Sequence, residues 1–593
     1  EGLNKLRAAY GRLTDQVLSP RDVLYDSKRA VLLSAMASEL HMLATQLYRI
    51  AQQLRSARDF TLGGLQRALR EVIACMAVYR TYIRPRGWDV SETDYRRVTL
   101  AVRMAKRRNP TMPWGVFDFI ASILLLQYPP NFSEDQAVQW RDFALKVQQV
   151  SGPVTAKGLE DTAFYRYYPL ASLNEVGAEL DMPAIAPEEM HRQMHHRMRT
   201  WPHSLSATGT HDTKRGEDLR ARLHVLSEIP DEWCETVLHW QQMHRPLLQP
   251  LEGEPLPDRN ALYLFYQTVV GTWPVPGTAA AAESIIGRGN TPPRSPSDDG
   301  QETVDHPHDQ SAQLKLTDRY VERIQQYLLK ALREAKVHTS WMNPWEAYEQ
   351  IISDFVQHVL TSEDGQPFRD EVNRLVNQIA PEAFTNALSQ LLLKVMLPGV
   401  PDIYQGTEWW DFNLVDPDNR RPVDFAARHE MLADLRAEFT ADPRRLIKQL
   451  VLRWPADEIK LFTLWRALQV RQAHADLVTH GEYIPLEVAG THSDHLFAFA
   501  RRLGDEWLIV AVPRLTHLLR RQDRASTAVP GLLKVNWHET TILLPEGAPT
   551  HWFSAWDTEP ATASETATDR AGLEVRDLLV EMPLALLVSS SAT

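Results

Sequence analysis

The chain has 593 residues, with 64 Lys and Arg against 76 Asp and Glu and a formal net charge of −12. Neither sign gathers into a long block, which argues against nucleic acid as a partner and favours a neutral or modestly charged substrate. The two cysteines, Cys75 and Cys234, exclude a disulfide framework and a cysteine-based zinc site and point to a reducing cytoplasm, and no run approaches the ~18 apolar residues of a membrane span.

The first residues, "EGLNKLRAAYGRLT", carry no Met and already read as an amphipathic helix, so an upstream segment is expected; no basic-then-apolar leader pattern stands there. Leu33, Met36, Leu40, Leu43, Leu47 and Ile50 recur at helical spacing as one long helix face, and Leu62, Leu65, Leu69, Val72, Ile73 and Met76 mark the next. Ser133 with Gln136 three residues on is a capping box that opens a helix carrying Phe143, Val147 and Val150 inward. Residues 1–150 are therefore expected to form a helical insertion domain. At 204–223, "SLSATGTHDTKRGEDLRARL" reads as strand, turn and helix, with Leu219, Leu223, Leu226 and Ile229 placing the helix start close to Asp212. Residues 275–311, rich in Pro, Gly, Ser and Asp, are expected to be a disordered insertion. Helical patterns resume at Leu314 and run to Leu397, followed by a short apolar strand and a polar, aromatic loop. In 471–593, the segments "HLFAFARR", "EWLIVAVPR", "TTILLPEG" and "LALLVSS" predict an antiparallel β-domain in which Trp507, Trp552 and Trp556 are core residues rather than exposed platforms.

Three segments combine residue types that chemistry needs. "AKGLEDTAFYRY" places Lys157, Glu160, Asp161 and Arg166 among the rings of Phe164, Tyr165, Tyr167 and Tyr168; carboxylates and cations suit sugar hydroxyls, and flat rings suit sugar faces. The plainer reading is a solvated, salt-bridged helix start. "GTHDTKR" holds His211, Asp212, Lys214 and Arg215 at the carboxyl end of a strand, where a parallel α/β barrel builds its active site. An Asp before an amphipathic helix is also a good N-cap, but Lys and Arg in a first helical turn oppose the helix dipole, which favours a local carboxylate or ligand. "GVPDIYQGTEWWDF" exposes Asp402, Tyr404 and Glu408 between glycines, or is simply a turn-rich connection. The 21 His residues are scattered, "MHRQMHHRM" reads as an exposed helix, and no metal cluster, phosphate loop, nucleophile elbow or dinucleotide fingerprint is present. No cofactor or metal is expected, and carboxylate chemistry is left.

With "VYRTYI" (78–83), "YLFYQTVVGTWP" (263–274), "AKVHTSWMNPWEAYE" (335–349) and "LPGVPDIYQGTEWWDFNLVDPDNRRPVDF" (397–425), these segments make the chain resemble the maltooligosyltrehalose synthases, glucosylmutases of the α-amylase superfamily, from about residue 20 to 470. "GVPDIYQGTE" and "HD" point only to the superfamily; "AKGLEDTAFYRY" and "THDTKR" narrow it to the synthases. The resemblance implies an α/β fold comprising the C-terminal part of a (β/α)8 TIM barrel with large helical insertions, then an all-β domain. Residues 151–274 become a barrel segment, and 312–470 a helical region with the last barrel strand. It implies a maltooligosaccharide or α-1,4-glucan substrate whose reducing-end α-1,4 bond becomes an α,α-1,1 bond with retention, in functional coupling to a maltooligosyltrehalose trehalohydrolase. Asp212 takes the place of the superfamily's third carboxylate and His211 that of its hydrogen-bonding neighbour, while Lys157, Glu160 and Lys214 hold the released glucose. The nucleophile and acid/base carboxylates belong to the fourth and fifth barrel strands, and no Arg-x-Asp segment followed shortly by His, and no strand-terminal Glu, occurs before residue 150. The chain is thus expected to be N-terminally truncated and weakly active alone. The rival readings are an amylase-like hydrolase or glucanotransferase and a non-catalytic glucan-binding remnant.

Overall fold

The computed structural model describes residues 1–16, 18–84, 89–130, 132–286, 315–522, 535–557, 560–565 and 570–589. The first third is a helical bundle. Helices Pro20–Leu33, Ala37–Gln52, Leu62–Ala74 and Trp114–Leu124 pack against the 26-residue helix Glu134–Leu159, and Glu92–Arg108 packs on Leu62–Ala74 and Trp114–Leu124. Their shared core includes Leu40, Leu43, Leu69, Phe117, Ile120 and Phe143. Leu33 departs from the expected face: it ends its own helix and is 58% exposed, because the chain bends between Leu33 and Ala37. Among the described residues no single helix is long and apolar enough to cross a membrane; the bent pair Pro20–Leu33 and Ala37–Gln52 passes by length and composition, and both of its helices contribute to this core.

The capping box forms, Ser133 Oγ accepting from the Gln136 amide, but the helix that it opens does not stop at residue 150. It runs past Pro153 to Leu159, joining the bundle core through Val147 and Val154 to the second core through Leu159. The border drawn at 150/151 therefore falls inside a helix, and "AKGLED" is a helix end rather than a helix start.

The second core is built around the 31-residue helix Gln366–Met396, which packs on Glu217–His224 and Glu458–Ala473 and against the β-domain strand Glu506–Pro513. Beside it lies one parallel strand pair, Leu205–Ala207 with Val400–Asp402, in register Leu205 to Val400 and Ala207 to Asp402. Gly399 has φ 127°, and a Cβ there would stand 2.7 Å from Ser206 Oγ, so the entry to the second strand requires glycine. Of the barrel strands implied by resemblance, this is the parallel pair among the described residues. Leu205 and Val400 are 68% and 39% exposed.

Of the segment expected to be disordered, 287–311 lies outside the described residues, whereas 275–286 forms the helix Ala279–Ser284 and a two-residue strand that pairs with Lys315–Leu316. The C-terminal region is two antiparallel sheets of six and four strands, including Leu496–Leu503, Glu506–Pro513, Thr541–Leu543 and Ala585–Val588, each where its apolar segment predicts. Its first strand begins at Glu482; the helix Glu458–Ala473 crosses the border at 471, and the helix Ala475–His480 lies beyond it. Trp507, Trp552 and Trp556 are buried.

Candidate active site

The "THDTKR" stretch is a turn, not a helix start. Thr210 N–H donates to Thr213 Oγ1 at 2.6 Å and Asp212 N–H to Thr210 Oγ1 at 3.2 Å, side-chain closures typical of Thr in turns. The helix begins only at Glu217 with Gly216 as its N-cap, so Asp212 caps nothing, and the first turn carries Glu217 and Asp218 rather than Lys214 and Arg215. The dipole conflict inferred from the sequence is therefore absent.

Neighbouring segments grip this turn. Asn419 Nδ2 donates to the carbonyls of Thr210 (3.2 Å) and Thr213 (3.4 Å), and Arg420 Nε donates to the His211 carbonyl at 2.9 Å. Glu175 accepts from the Lys214 amide at 2.9 Å, the Arg215 amide at 3.3 Å and Arg220 Nη1 at 2.9 Å. Beneath it, Glu217 and Asp218 bind the fully buried Lys460 ammonium at 2.8 and 2.6 Å, and Lys394 reaches Glu217 at 3.1 Å. Burial works against the Glu217 charge, but two ammonium groups outweigh it and hold its pKa down to about 2. Asp218, also fully buried, has only one ammonium and sits beside the Glu217 charge, and is pushed up to about 7.

At the surface of this support, Lys214 Nζ lies 3.1 Å from Asp161 Oδ1 and 3.6 Å from Asp212 Oδ1. The Lys214 side chain is 3% exposed, whereas those of Asp161 and Asp212 are 42% and 45% exposed. Burial opposes the ammonium charge, yet the two carboxylates prevail and its pKa is raised. Glu160, adjacent in sequence, turns elsewhere: it accepts from the Tyr79 hydroxyl and, at 3.3 Å, from the Gly177 amide. Lys157 and His211 are exposed. The site is thus a cation sunk between two half-exposed carboxylates, with a third carboxylate and a phenol beside it, open to solvent.

The other sequence candidates lie apart from this cation. Arg215 is buried and donates to the Tyr327 hydroxyl at 2.8 Å, and Arg166 donates to the Ala335 carbonyl at 2.6 Å. Phe164, Tyr165, Tyr167 and Tyr168 are all buried, with Tyr167 edge-on to Tyr10 at 5.1 Å; they are core residues, and the sugar-face role drawn from their spacing is corrected. Tyr404 donates to the Asn419 carbonyl at 3.0 Å, bracing the loop that grips the turn. Glu408 accepts from Arg428 Nε and the Gly406 amide, both at 3.0 Å, and closes its own loop. Sequence reasoning missed Glu175, Asn419, Arg420 and Tyr79 as site residues. Tyr79, Asn419 and Arg420 lay inside the matched segments, but Glu175 lies in none and carried no signal.

Fold and site together define a helix-rich α/β chain with a C-terminal β-sheet region and a polar site at the carboxyl end of a parallel strand. No protein-family profile matches the chain. Two relatives from Mycobacterium tuberculosis, strains CDC 1551 / Oshkosh and H37Rv, bear the provisional name maltooligosyl trehalose synthase and are 34% identical over 449 residues, 76% of this chain and 46% of each relative. The solved maltooligosyltrehalose synthase of Arthrobacter ramosus superposes with a TM-score of 0.73 at 27% identity, covering 99% of this chain and 61% of that one. Over the part that it spans, the chain is similar in sequence and in fold to maltooligosyltrehalose synthases. It spans about half the length of the curated relatives it matches.

Proposed function

We propose that the chain serves the intramolecular transglucosylation for which its relatives are named, turning the reducing-end α-1,4 bond of a maltooligosaccharide into an α,α-1,1 bond. In this reading the parallel pair Leu205–Ala207 and Val400–Asp402 forms the last two strands of a (β/α)8 barrel. The observation that carries it is the Lys214 ammonium, almost wholly buried yet flanked by the half-exposed carboxylates of Asp161 and Asp212. Asp212 accepts hydrogen bonds from sugar hydroxyls, and its negative charge favours an oxocarbenium-like transition state. Lys214 pairs with both carboxylates and, with Glu160 and Lys157, holds the released glucose while it turns. Retention requires a nucleophile and an acid/base carboxylate ~5–5.5 Å apart; these belong to barrel strands other than this pair. Excluding water from the held glucose separates isomerisation from hydrolysis.

Incubating the purified chain with maltopentaose and assaying for a non-reducing product tests this. Binding with little or no turnover is expected; rapid turnover refutes the assignment of nucleophile and acid to other strands, and release of glucose or longer glucans refutes the mutase reading. A reducing cytoplasm, supported by the buried, unpaired Cys75 and Cys234, and coupling to a trehalose-releasing hydrolase complete the proposal.

A further inference from the structure

The turn Ser340–Asn343 presents an indole to solvent. Ser340 N–H donates to the Asn343 carbonyl at 3.2 Å and Asn343 N–H to Ser340 Oγ at 3.0 Å, so the turn is fastened at both ends. Trp341 at its tip is 53% exposed, although Trp is on average a strongly buried residue. Its ring does not hang loose. Nε1–H donates to Glu334 Oε1 at 2.9 Å, and the Arg333 guanidinium carbon stands 4.9 Å from the ring centroid, itself fixed by Nε to Glu349 at 2.8 Å.

This indole is wired to the Asp212 site. Glu334 pairs with Lys336 Nζ at 3.4 Å, and Lys336 Nζ donates to Thr162 Oγ1 at 3.1 Å. Thr162 follows Asp161, which accepts from Lys214. Lys336, at φ 54°, is the left-handed C-cap of the helix Asp318–Ala335, its amide donating to the Leu332 carbonyl. We propose that Trp341 is a stacking platform for a glucose ring of a bound α-glucan, at a subsite separate from Asp212; this rests on the glucan reading above. A rigid indole, backed by a cation and flanked by a carboxylate and an ammonium, offers a sugar an apolar face for its C–H groups and polar partners for its hydroxyls. An apolar protein surface laid there would strip water from Glu334 and Lys336 without replacing those hydrogen bonds.

Calorimetric titration of the purified chain with maltose and maltoheptaose tests the proposal. Trp341→Ala is expected to raise the Kd for maltoheptaose about tenfold and that for maltose less than twofold, with Trp341→Phe within about threefold of wild type for both. An unchanged Kd for maltoheptaose, or equal weakening of both sugars, overturns the subsite while leaving the glucan reading intact. Sedimentation that shows altered self-association of Trp341→Ala with unchanged sugar affinity overturns it in favour of a protein contact. A wild-type chain that binds neither sugar refutes the glucan reading itself, and the subsite with it. Unchanged thermal melting of both variants excludes misfolding as the cause of any loss.

Discussion

Replacing Lys460 with Met takes one ammonium from beneath the Asp212 turn. Lys460 is fully buried and binds Glu217 at 2.8 Å, Asp218 at 2.6 Å and the Trp409 carbonyl at 3.0 Å. Breaking a buried pair by removing one partner costs about 3–5 kcal/mol. The lower end applies, because Glu217 keeps Lys394 and Asp218, already raised to about 7, can take up a proton. About 3 kcal/mol corresponds to amide exchange faster by a factor on the order of 100 wherever opening of the helix Glu217–His224 limits it. Hydrogen-exchange mass spectrometry on peptides covering that helix, comparing variant with wild type at pH 8 and pH 6, reads this directly. The raised folded pKa of Asp218 means that protonation favours the folded state, an effect present at low pH and lost as pH rises through about 7. Removing Lys460, whose charge pulls the Asp218 pKa down, lifts it further in the variant, so the variant loses more stability than wild type as pH rises and the ratio is larger at pH 8 than at pH 6; adding Asp218→Asn to the variant recovers most of the loss. A ratio below about fivefold at pH 8, or one equal at both pH values, refutes the electrostatic account.

Asp212→Asn, which keeps the shape but removes the charge, is expected to leave thermal stability within about 1 kcal/mol, since the side chain is 45% exposed, while weakening maltopentaose binding in calorimetry. Unchanged binding removes Asp212 from the site. Gly399→Ala is expected to lose about 2 kcal/mol or more in urea unfolding, because the new Cβ meets Ser206 Oγ at 2.7 Å and the Ser204 carbonyl at 2.8 Å at φ 127°; a loss below about 0.5 kcal/mol shows that the strand pair adjusts freely. His224, half-buried with Nδ1 3.0 Å from the Ser172 hydroxyl, is held neutral by the desolvation of its ring, its pKa lowered from 6.5 to about 4. A depressed histidine pKa contributes stability that is complete above pH ~6.5 and is lost as pH falls towards ~4, so the wild-type advantage over His224→Asn should shrink by about 3 kcal/mol between pH 7 and pH 4 in urea titrations. A constant difference across that range contradicts it.

Local pattern alone located several elements. The capping box at Ser133 and Gln136 forms as written, and the β-domain strands fall on their apolar segments, because a cap and an alternating or continuous apolar run depend on residues within one turn or one strand. The placement of Asp212 is different in kind. Periodicity in Leu219, Leu223, Leu226 and Ile229 put a helix start near it, but the turn's own Thr side chains and the grip of Asn419 and Arg420 hold the backbone out of the helix until Glu217.

The aromatic run Phe164 to Tyr168 shows the same limit from the other side. Its composition suits a sugar site equally well, and only contact with Tyr10 and the surrounding helices makes it core. Trp341, by contrast, is indistinguishable in sequence from a core tryptophan and is exposed because a fastened turn carries it. What the sequence by itself determined were the helical first third, the β-domain, the resemblance to the synthases and the residue types available for carboxylate chemistry, all of which rest on local periodicity and on segment-long matches. Only the tertiary structure decided which charges meet. Lys214 and Asp161 are 53 positions apart, Lys460 and Glu217 are 243, and such pairings follow from the packing of whole helices, which no short window of residues encodes.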